Sequence, residues 1–123
     1  MSIKNKILIV DDEIKTCDIL KNYFQELFEI DVAYDGQQAL KKVETFLPDC
    51  VLLDIKMPDP DGLQVLKQLK PRFPNIKFIM ISANNSVSKM MDSIMSDASD
   101  YVPKPINLAE LEKKILSALN QPN

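Results

Sequence analysis

This chain of 123 residues contains no histidine and no tryptophan, and it has only two glycines and two cysteines. Without histidine, neither a Ser-His-Asp or Cys-His catalytic arrangement nor a His-ligated metal site can form. Two cysteines are too few for a four-ligand structural zinc site. Two glycines, Gly36 and Gly62, cannot supply a Gly-rich dinucleotide loop or a P-loop. The sequence therefore excludes the commonest nucleophilic, zinc and nucleotide-binding sites.

Positive charge is in the minority: 15 Lys and Arg stand against 18 Asp and Glu, and the formal net charge is −3. An acidic balance without a basic stripe argues against direct binding of nucleic acid by this domain. The apolar run at residues 7–10 is too short for the core of a signal peptide or for a membrane span. Two thiols without a leader favour a reducing compartment. We therefore expect a cytoplasmic protein that binds neither nucleic acid nor membrane.

Apolar runs alternate along the chain with amphipathic segments, and 46% hydrophobic residues are enough for one buried core. Three continuous apolar runs predict strands that are buried on both faces. These runs are residues 7–10, 50–53 and 78–81. Residues 28–34 alternate instead, which predicts a half-exposed strand at a sheet edge. Residues 101–102 predict a short fifth strand, also at an edge because Pro103 ends it.

Five amphipathic segments follow these strands, and each has apolar residues at helical spacing. The first two helices are predicted over residues 14–27 and 37–47; the third is expected to end before Pro71. The last begins with an Asn107-to-Glu110 capping pattern. The apolar stripes are, in order, Ile14, Cys17, Leu20, Phe24 and Leu27; Ala39, Leu40, Val43 and Leu47; Leu63, Leu66 and Leu69; Val87, Met90, Met91, Ile94 and Met95; and Leu108, Leu111, Ile115 and Leu119.

Five strand–helix units in succession predict an α/β fold with a doubly wound, five-stranded parallel sheet and helices on both faces. The two candidate edge strands are the second and the fifth. They favour the flavodoxin-like strand order 2-1-3-4-5 over the order 3-2-1-4-5, in which the third strand would be an edge.

Polar residues follow the predicted strands at their carboxyl ends, where ligands bind in open α/β sheets. Asp11 and Asp12 follow the first strand, Asp54 the third, Ser82 the fourth and Lys104 the fifth. Three neighbouring carboxylates repel each other unless a cation intervenes, and oxygen ligands suit a hard ion such as Mg²⁺. A lysine and a hydroxyl beside that ion suit phosphoryl oxygens. The spacing therefore predicts a site for Mg²⁺ and a phosphoryl group.

Over essentially its whole length, the chain resembles a receiver domain of bacterial two-component response regulators, of the chemotaxis-receiver kind. Four stretches carry the resemblance: ILIVDDE (7–13), PDCVLLDIKMPDPDGL (48–63), FIMISA (78–83) and DYVPKP (100–105). Their joint occurrence in this order is far more specific than any one of them. The resemblance implies one receiver domain over residues 1–123, with residues 1–5 and 120–123 as loose termini.

The resemblance also implies residue roles. Asp54 would accept the phosphoryl group, Lys104 and Ser82 would contact it, and Tyr101 would be the aromatic switch residue. For the metal, it implies that Asp12, Asp54 and the backbone carbonyl of Lys56 bind Mg²⁺ directly, with Asp11 acting mainly through a metal-bound water.

By the same resemblance, the chain is a signalling switch and not a turnover enzyme. A sensor histidine kinase or a phosphotransfer protein would donate the phosphoryl group. Residues 86–119 would present the changed face to a downstream protein or output domain, and a dimer that forms on phosphorylation is compatible with this. Two alternatives stay open. One is a Mg²⁺-dependent phosphohydrolase with an aspartyl-phosphate intermediate, although Lys56 stands where its second Asp is needed; the other is a pseudo-receiver that acts without phosphorylation.

Four local features complete the predictions. Asp97 replaces the glycine that the family usually has before the Ala-Asp stretch, where it is predicted to close the fourth helix in a left-handed turn. Pro60 adds a second proline to the loop after Asp54. The Lys104–Pro105 peptide bond is predicted to be cis, because that lysine must turn back over the site. Cys17 and Cys50 lie in a helix stripe and a buried strand, which predicts inert packing.

Overall fold

Five parallel strands form one sheet in the order β2-β1-β3-β4-β5, as predicted. The structure is a computed structural model, and it describes residues 3–83 and 98–120. The strands are β1 (Lys6–Val10), β2 (Glu29–Ala33), β3 (Cys50–Asp54), β4 (Lys77–Ser82) and β5 (Asp100–Pro103). The helices are α1 (Ile14–Phe24), α2 (Gly36–Phe46), α3 (Gly62–Leu69) and α4 (Leu108–Leu119).

Several predictions fall outside the described residues. They are the helix predicted on Val87, Met90, Met91, Ile94 and Met95, the turn at Asp97, and the loose termini at residues 1–2 and 121–123. Within the described ranges, no helix has both the length and the apolarity that crossing a bilayer requires.

Two apolar cores lie on opposite faces of the sheet, and alternate residues of the central strands feed each core. Leu8, Val51 and Phe78 face the core built with α2 and α3. Ile7 and Leu52 face the core built with α1 and α4. Strands β1, β3 and β4 are covered on both sides, which explains their continuous apolar runs, and β2 and β5 are the edges.

The predicted helix ends were partly wrong. Helix α1 ends at Phe24, and Ile14 and Leu27 are 60% and 50% exposed, so the stripe that packs consists of Cys17, Leu20 and Phe24. Leu47 lies outside α2 in the left-handed region, with φ of 51°, and is 57% exposed. The residue before a proline is disfavoured in the right-handed helical region, which accounts for the end of α2 ahead of Pro48.

The predicted helix start at Asn107 is confirmed, since its side chain accepts a hydrogen bond from the backbone N–H of Glu110. Helix α3 begins with a full capping box between Asp61 and Gln64. The Lys104–Pro105 bond is cis as predicted, and the Asp59–Pro60 bond is also cis, which the sequence analysis did not anticipate.

Candidate functional site

Three carboxylates meet at the carboxyl edge of the sheet. Asp11 follows β1 and Asp54 ends β3, and these neighbouring strands run parallel with Val10 paired to Leu53, so their ends fall together. One oxygen from each of Asp11, Asp12 and Asp54 lies within 4.8 Å of the others. Asp11 and Asp54 are 2% and 3% exposed, whereas Asp12 is open to solvent. The predicted cluster of acids therefore exists.

Lys104 brings a positive charge to this cluster from the loop after β5. Its Nζ lies 3.1 Å from Asp11 Oδ2 and 3.6 Å from Asp54 Oδ1. Its backbone N–H donates to the carbonyl of Ser82 at 2.8 Å, which fixes the start of the loop against the end of β4. Burial alone would lower the pKa of Lys104, but the hydrogen bond to Asp11 and the charge of Asp54 outweigh burial and raise it. The lysine therefore stays a cation.

The pKa of Asp54 is raised within this cluster. Burial, followed by the charge of Asp11, raises its pKa from 3.8 to about 6. Lys104 and a hydrogen bond from the backbone N–H of Lys56 oppose that rise, and the charge of Asp12 adds a little to it. One ammonium therefore does not balance three carboxylates. An oxygen-only donor set with surplus negative charge fits a hard divalent cation, and it does not fit a soft metal.

Backbone contacts hold Asp11 in place. Its carboxylate Oδ1 accepts from the N–H of Glu13 at 2.9 Å, and its own N–H donates to the carbonyl of Ala33 at 3.1 Å. Beneath it, the Cys17 thiol donates to the Asp11 carbonyl at 3.3 Å. Burial, followed by the charge of Asp11, raises the pKa of Cys17 to about 12, so this buried thiol is not a nucleophile.

Neither the Glu13 nor the Cys17 contact with Asp11 was predicted from the sequence. A signal for Cys17 was present, since it is the first packed residue of α1 and that helix begins shortly after the acidic pair.

The remaining predicted residues lie along the same edge. Ser82 ends β4 and is 3% exposed. The strand pairing places Asp54 beside Ile81, the residue that precedes Ser82 in β4. The Lys56 side chain is exposed, while its backbone N–H binds Asp54. Tyr101 lies on β5, two strands away from Asp54, and packs half-buried against the core on the α2 and α3 side. The structure thus gathers the acids, Lys104 and Ser82, and places Tyr101 at a distance.

Comparison with known proteins decides the family. The family model for the response regulator receiver domain matches residues 7–116. The chain belongs to this receiver family. Receiver domains of this kind are the phosphorylation-activated switches of two-component signal transduction.

Individual relatives agree with this assignment. The Transcriptional regulatory protein TrcR of Mycobacterium tuberculosis is 32% identical over 117 residues, covering 94% of this receiver domain and 46% of TrcR. A Protein-glutamate methylesterase/protein-glutamine glutaminase of Trichodesmium erythraeum is 36% identical and is matched over 91% of this chain and 33% of its own length. This receiver domain therefore spans less than half the length of either relative.

Among solved structures, a CheY-like response regulator receiver domain protein from Methanospirillum hungatei is similar to this chain. It superposes with a TM-score of 0.89 at 31% identity, covering 96% of this receiver domain and 95% of that chain.

Proposed function

We propose that this receiver domain is switched by transfer of a phosphoryl group from a phosphohistidine to Asp54. The observation that carries the proposal is the surroundings of Asp54: Lys104 Nζ lies 3.6 Å from its Oδ1, and Asp11 and Asp12 place oxygens within 4.8 Å. With a pKa of about 6, its carboxylate is largely ionised at neutral pH and retains nucleophilic strength.

In the proposed transfer, a carboxylate oxygen of Asp54 attacks the phosphorus, and the bond from phosphorus to the donor imidazole breaks. The electron pair of that bond leaves with the imidazole, and an acyl phosphate remains on Asp54. The Lys104 ammonium stabilises charge on the transferring oxygens, and the Ser82 hydroxyl engages the phosphoryl group afterwards. Attack by water on phosphorus later releases inorganic phosphate and restores the carboxylate.

The acidic cluster supports Mg²⁺ as the cofactor of this reaction. We propose that Asp12, Asp54 and the backbone carbonyl of Lys56 hold the ion, with Asp11 acting through a water. Bound there, the ion supplies positive charge to phosphoryl oxygens.

The surface beside Lys104 supports a protein as the phosphoryl donor. A groove of about 260 Å³ runs along α1 to the loop after β5, and Lys104 lies in its wall. Ile19 on its rim is 57% exposed, and Pro105 and Ile106 add apolar surface. We propose that a sensor histidine kinase or phosphotransfer protein seats here and aims its phosphohistidine at Asp54.

We propose that the changed state is read through residues 86–119, of which the structure describes 98–119. Two observations support β5 and α4 as one responsive unit. Lys114 of α4 donates to the Tyr101 carbonyl at 2.7 Å and lies 3.3 Å from Asp100. Lys104 ties the end of β5 to Ser82 at the site. A downstream protein, an output domain or a second receiver would meet this face.

We further propose that residues 1–123 make one receiver domain that works in the cytoplasm through protein partners. The strands that the structure describes form one sheet, and the described helices pack into the two cores on its faces, which supports a single domain. The net charge of −3 supports a domain that leaves any nucleic-acid contact to other parts of a regulator.

The decisive experiment is mass spectrometry after incubation with Mg²⁺ and acetyl phosphate. We expect one added phosphoryl group, lost in Asp54→Asn and retained in Asp59→Asn, a matched control that removes an exposed carboxylate from the following loop. Labelling that persists in Asp54→Asn would contradict the assignment. Steady turnover of a phosphomonoester would favour the phosphohydrolase alternative, and absence of Mg²⁺ binding would favour the pseudo-receiver.

A further inference from the structure

The loop between β3 and α3, residues 55–61, directly follows Asp54 and contacts its carboxylate. It is closed at both ends: the Ile55 N–H donates to the carbonyl of Ile81 at 2.9 Å, and the Gly62 N–H donates to the carbonyl of Ile55 at 3.0 Å. The side chains of Ile55 and Met57 are buried, which anchors the residue between them. That residue is Lys56, whose backbone N–H binds the Asp54 carboxylate. A shift of the loop therefore moves the backbone N–H of Lys56 that donates a hydrogen bond to the Asp54 carboxylate.

Gly62 touches the backbone of Asp54 itself. A Cβ at position 62 would lie 2.2 Å from the Asp54 carbonyl oxygen and 2.7 Å from the Cα of Ile55. Both are backbone atoms, so neither can rotate away, and any side chain at position 62 must displace β3 or the start of the loop.

Gly36 touches the far side of the same loop. It is the first residue of α2, and a Cβ there would lie 2.4 Å from the Pro60 carbonyl oxygen and 2.6 Å from Pro60 Cγ. The Val65 side chain of α3 closes the space at 3.0 Å. The start of α2 is thus pressed against the loop and α3 with no room for a side chain.

Conformational freedom does not explain these glycines. Neither has a positive φ, so an alanine backbone would fit both places. Each opens a helix, where alanine is the better helix former. The close approach of neighbouring atoms is therefore the structural reason for glycine at both positions. The whole chain contains no other glycine. Both glycines of the sequence are placed against one loop.

We propose that Gly36 and Gly62 are positioning residues of the phosphorylation site, which hold residues 55–61, and through them Asp54 and Lys56, in the geometry that binds Mg²⁺ and accepts the phosphoryl group. This inference rests on the proposed function. Because loss of alignment by about 1 Å can cost up to about 100-fold in rate, a methyl group that forces the loop away has a large expected effect.

The test compares Gly36→Ala and Gly62→Ala with the parent and with Val43→Ala. Val43 is buried in α2 and shares a core with Ile55 and Met57, but it is not among the atoms that a Cβ at position 36 or 62 would meet. Val43→Ala therefore weakens the same core without adding a methyl group against the loop backbone. Three quantities are measured: metal-free amide shifts of residues 54–56, the Mg²⁺ dissociation constant, and the initial rate with acetyl phosphate. In the glycine variants we expect shifted amides and a loss of about 10-fold or more in affinity and rate. Val43→Ala should keep the parental amide shifts at residues 54–56, and its Mg²⁺ affinity and initial rate should stay within about twofold of the parent.

A double variant, Gly36→Ala with Val65→Ala, provides the rescue. It removes the Cγ2 that the new methyl group meets at 3.0 Å, so it should regain part of the lost affinity, and it keeps the test open if Gly36→Ala does not fold. Glycine variants with parental affinity, rate and amide shifts would overturn the inference while the proposed function stands, as would equal losses in Val43→Ala. A parent that neither binds Mg²⁺ nor takes a phosphoryl group overturns the proposed function, and the inferred positioning role with it.

Discussion

Replacing Asp54 by asparagine should make the metal-free protein more stable at neutral pH. Asp54 is buried, and the charges of Asp11 and Asp12 add to the cost of ionising it. Asparagine keeps the shape and a hydrogen-bonding group but removes the charge. The fold is therefore expected to gain stability when this proposed phosphoacceptor is replaced, because a buried carboxylate beside other carboxylates is costly to ionise.

The size of the gain follows from the pKa of Asp54. It is about 6 in the fold against an ordinary 3.8, so between these pH values the folded protein holds a proton that the unfolded chain has released. The contribution of Asp54 to the free energy of unfolding of the parent is therefore fully present below about pH 3.8 and is lost as the pH rises through about 6. At 1.36 kcal/mol for each pH unit, the loss reaches about 3 kcal/mol at pH 7.5 and only about 0.5 kcal/mol at pH 4.

Urea denaturation followed by far-ultraviolet circular dichroism, with EDTA present, measures this difference. Asp54→Asn should exceed the parent by up to about 3 kcal/mol at pH 7.5, with the gain nearly gone at pH 4. Asp18→Asn, which removes an exposed carboxylate of α1, should change stability by no more than about 0.5 kcal/mol at either pH. Excess Mg²⁺ should stabilise the parent more than the variant. An equally stable Asp54→Asn at pH 7.5, or a gain that is the same at pH 4, would refute the reasoning.

Four further outcomes are expected. Lowering the pH from 7.5 to 5.5 at limiting Mg²⁺ should cut the initial rate with acetyl phosphate about fourfold, since the ionised fraction of Asp54 falls from about 0.97 to about 0.24; a flat profile would contradict its raised pKa. Lys104→Met should slow phosphorylation by about 100-fold in the same assay, and a rate within about threefold of the parent would show that its charge is dispensable. In Mg²⁺ titrations Asp12→Asn should lose more affinity than Asp11→Asn, and equal losses would reverse the inner- and outer-shell assignment. Leu47→Gly should raise the free energy of unfolding by about 1 kcal/mol, because it relieves a left-handed non-glycine residue whose side chain is exposed; a loss on urea denaturation would mean that side-chain contacts matter more.

The sheet was predictable because burial on two faces leaves a simple pattern. Strands β1, β3 and β4 coincide with continuous apolar runs, and the alternating run at β2 marks an edge. Strand order then brings Asp11 and Asp54 together without any knowledge of distances. The roles assigned to these residues at the site remain proposals, and the experiments above test them.

The helix ends were less predictable, because an apolar residue at helical spacing need not be covered. Ile14 and Leu27 fit the helical periodicity, yet Ile14 is exposed at the start of α1 and Leu27 lies beyond its end. Leu47 fits the α2 stripe, but the proline that follows it ends the helix. The roles of Gly36 and Gly62 depend on contacts between elements, which spacing along one chain does not encode.

In the proposed cycle of Mg²⁺ binding and phosphorylation, the lysine shared by Asp11 and Asp54 keeps the net charge of the site small. Three carboxylates and one ammonium give the ionised pocket a net charge of about −2. A divalent cation brings that to about zero, and conversion of one carboxylate to an acyl phosphate of charge about −2 leaves it near −1. Each step therefore changes the net charge of the pocket by no more than the charge of the ion or phosphoryl group that enters it. No stage requires a large unbalanced charge at the buried strand ends. A domain built in this way can be loaded and reset repeatedly while its core stays in place.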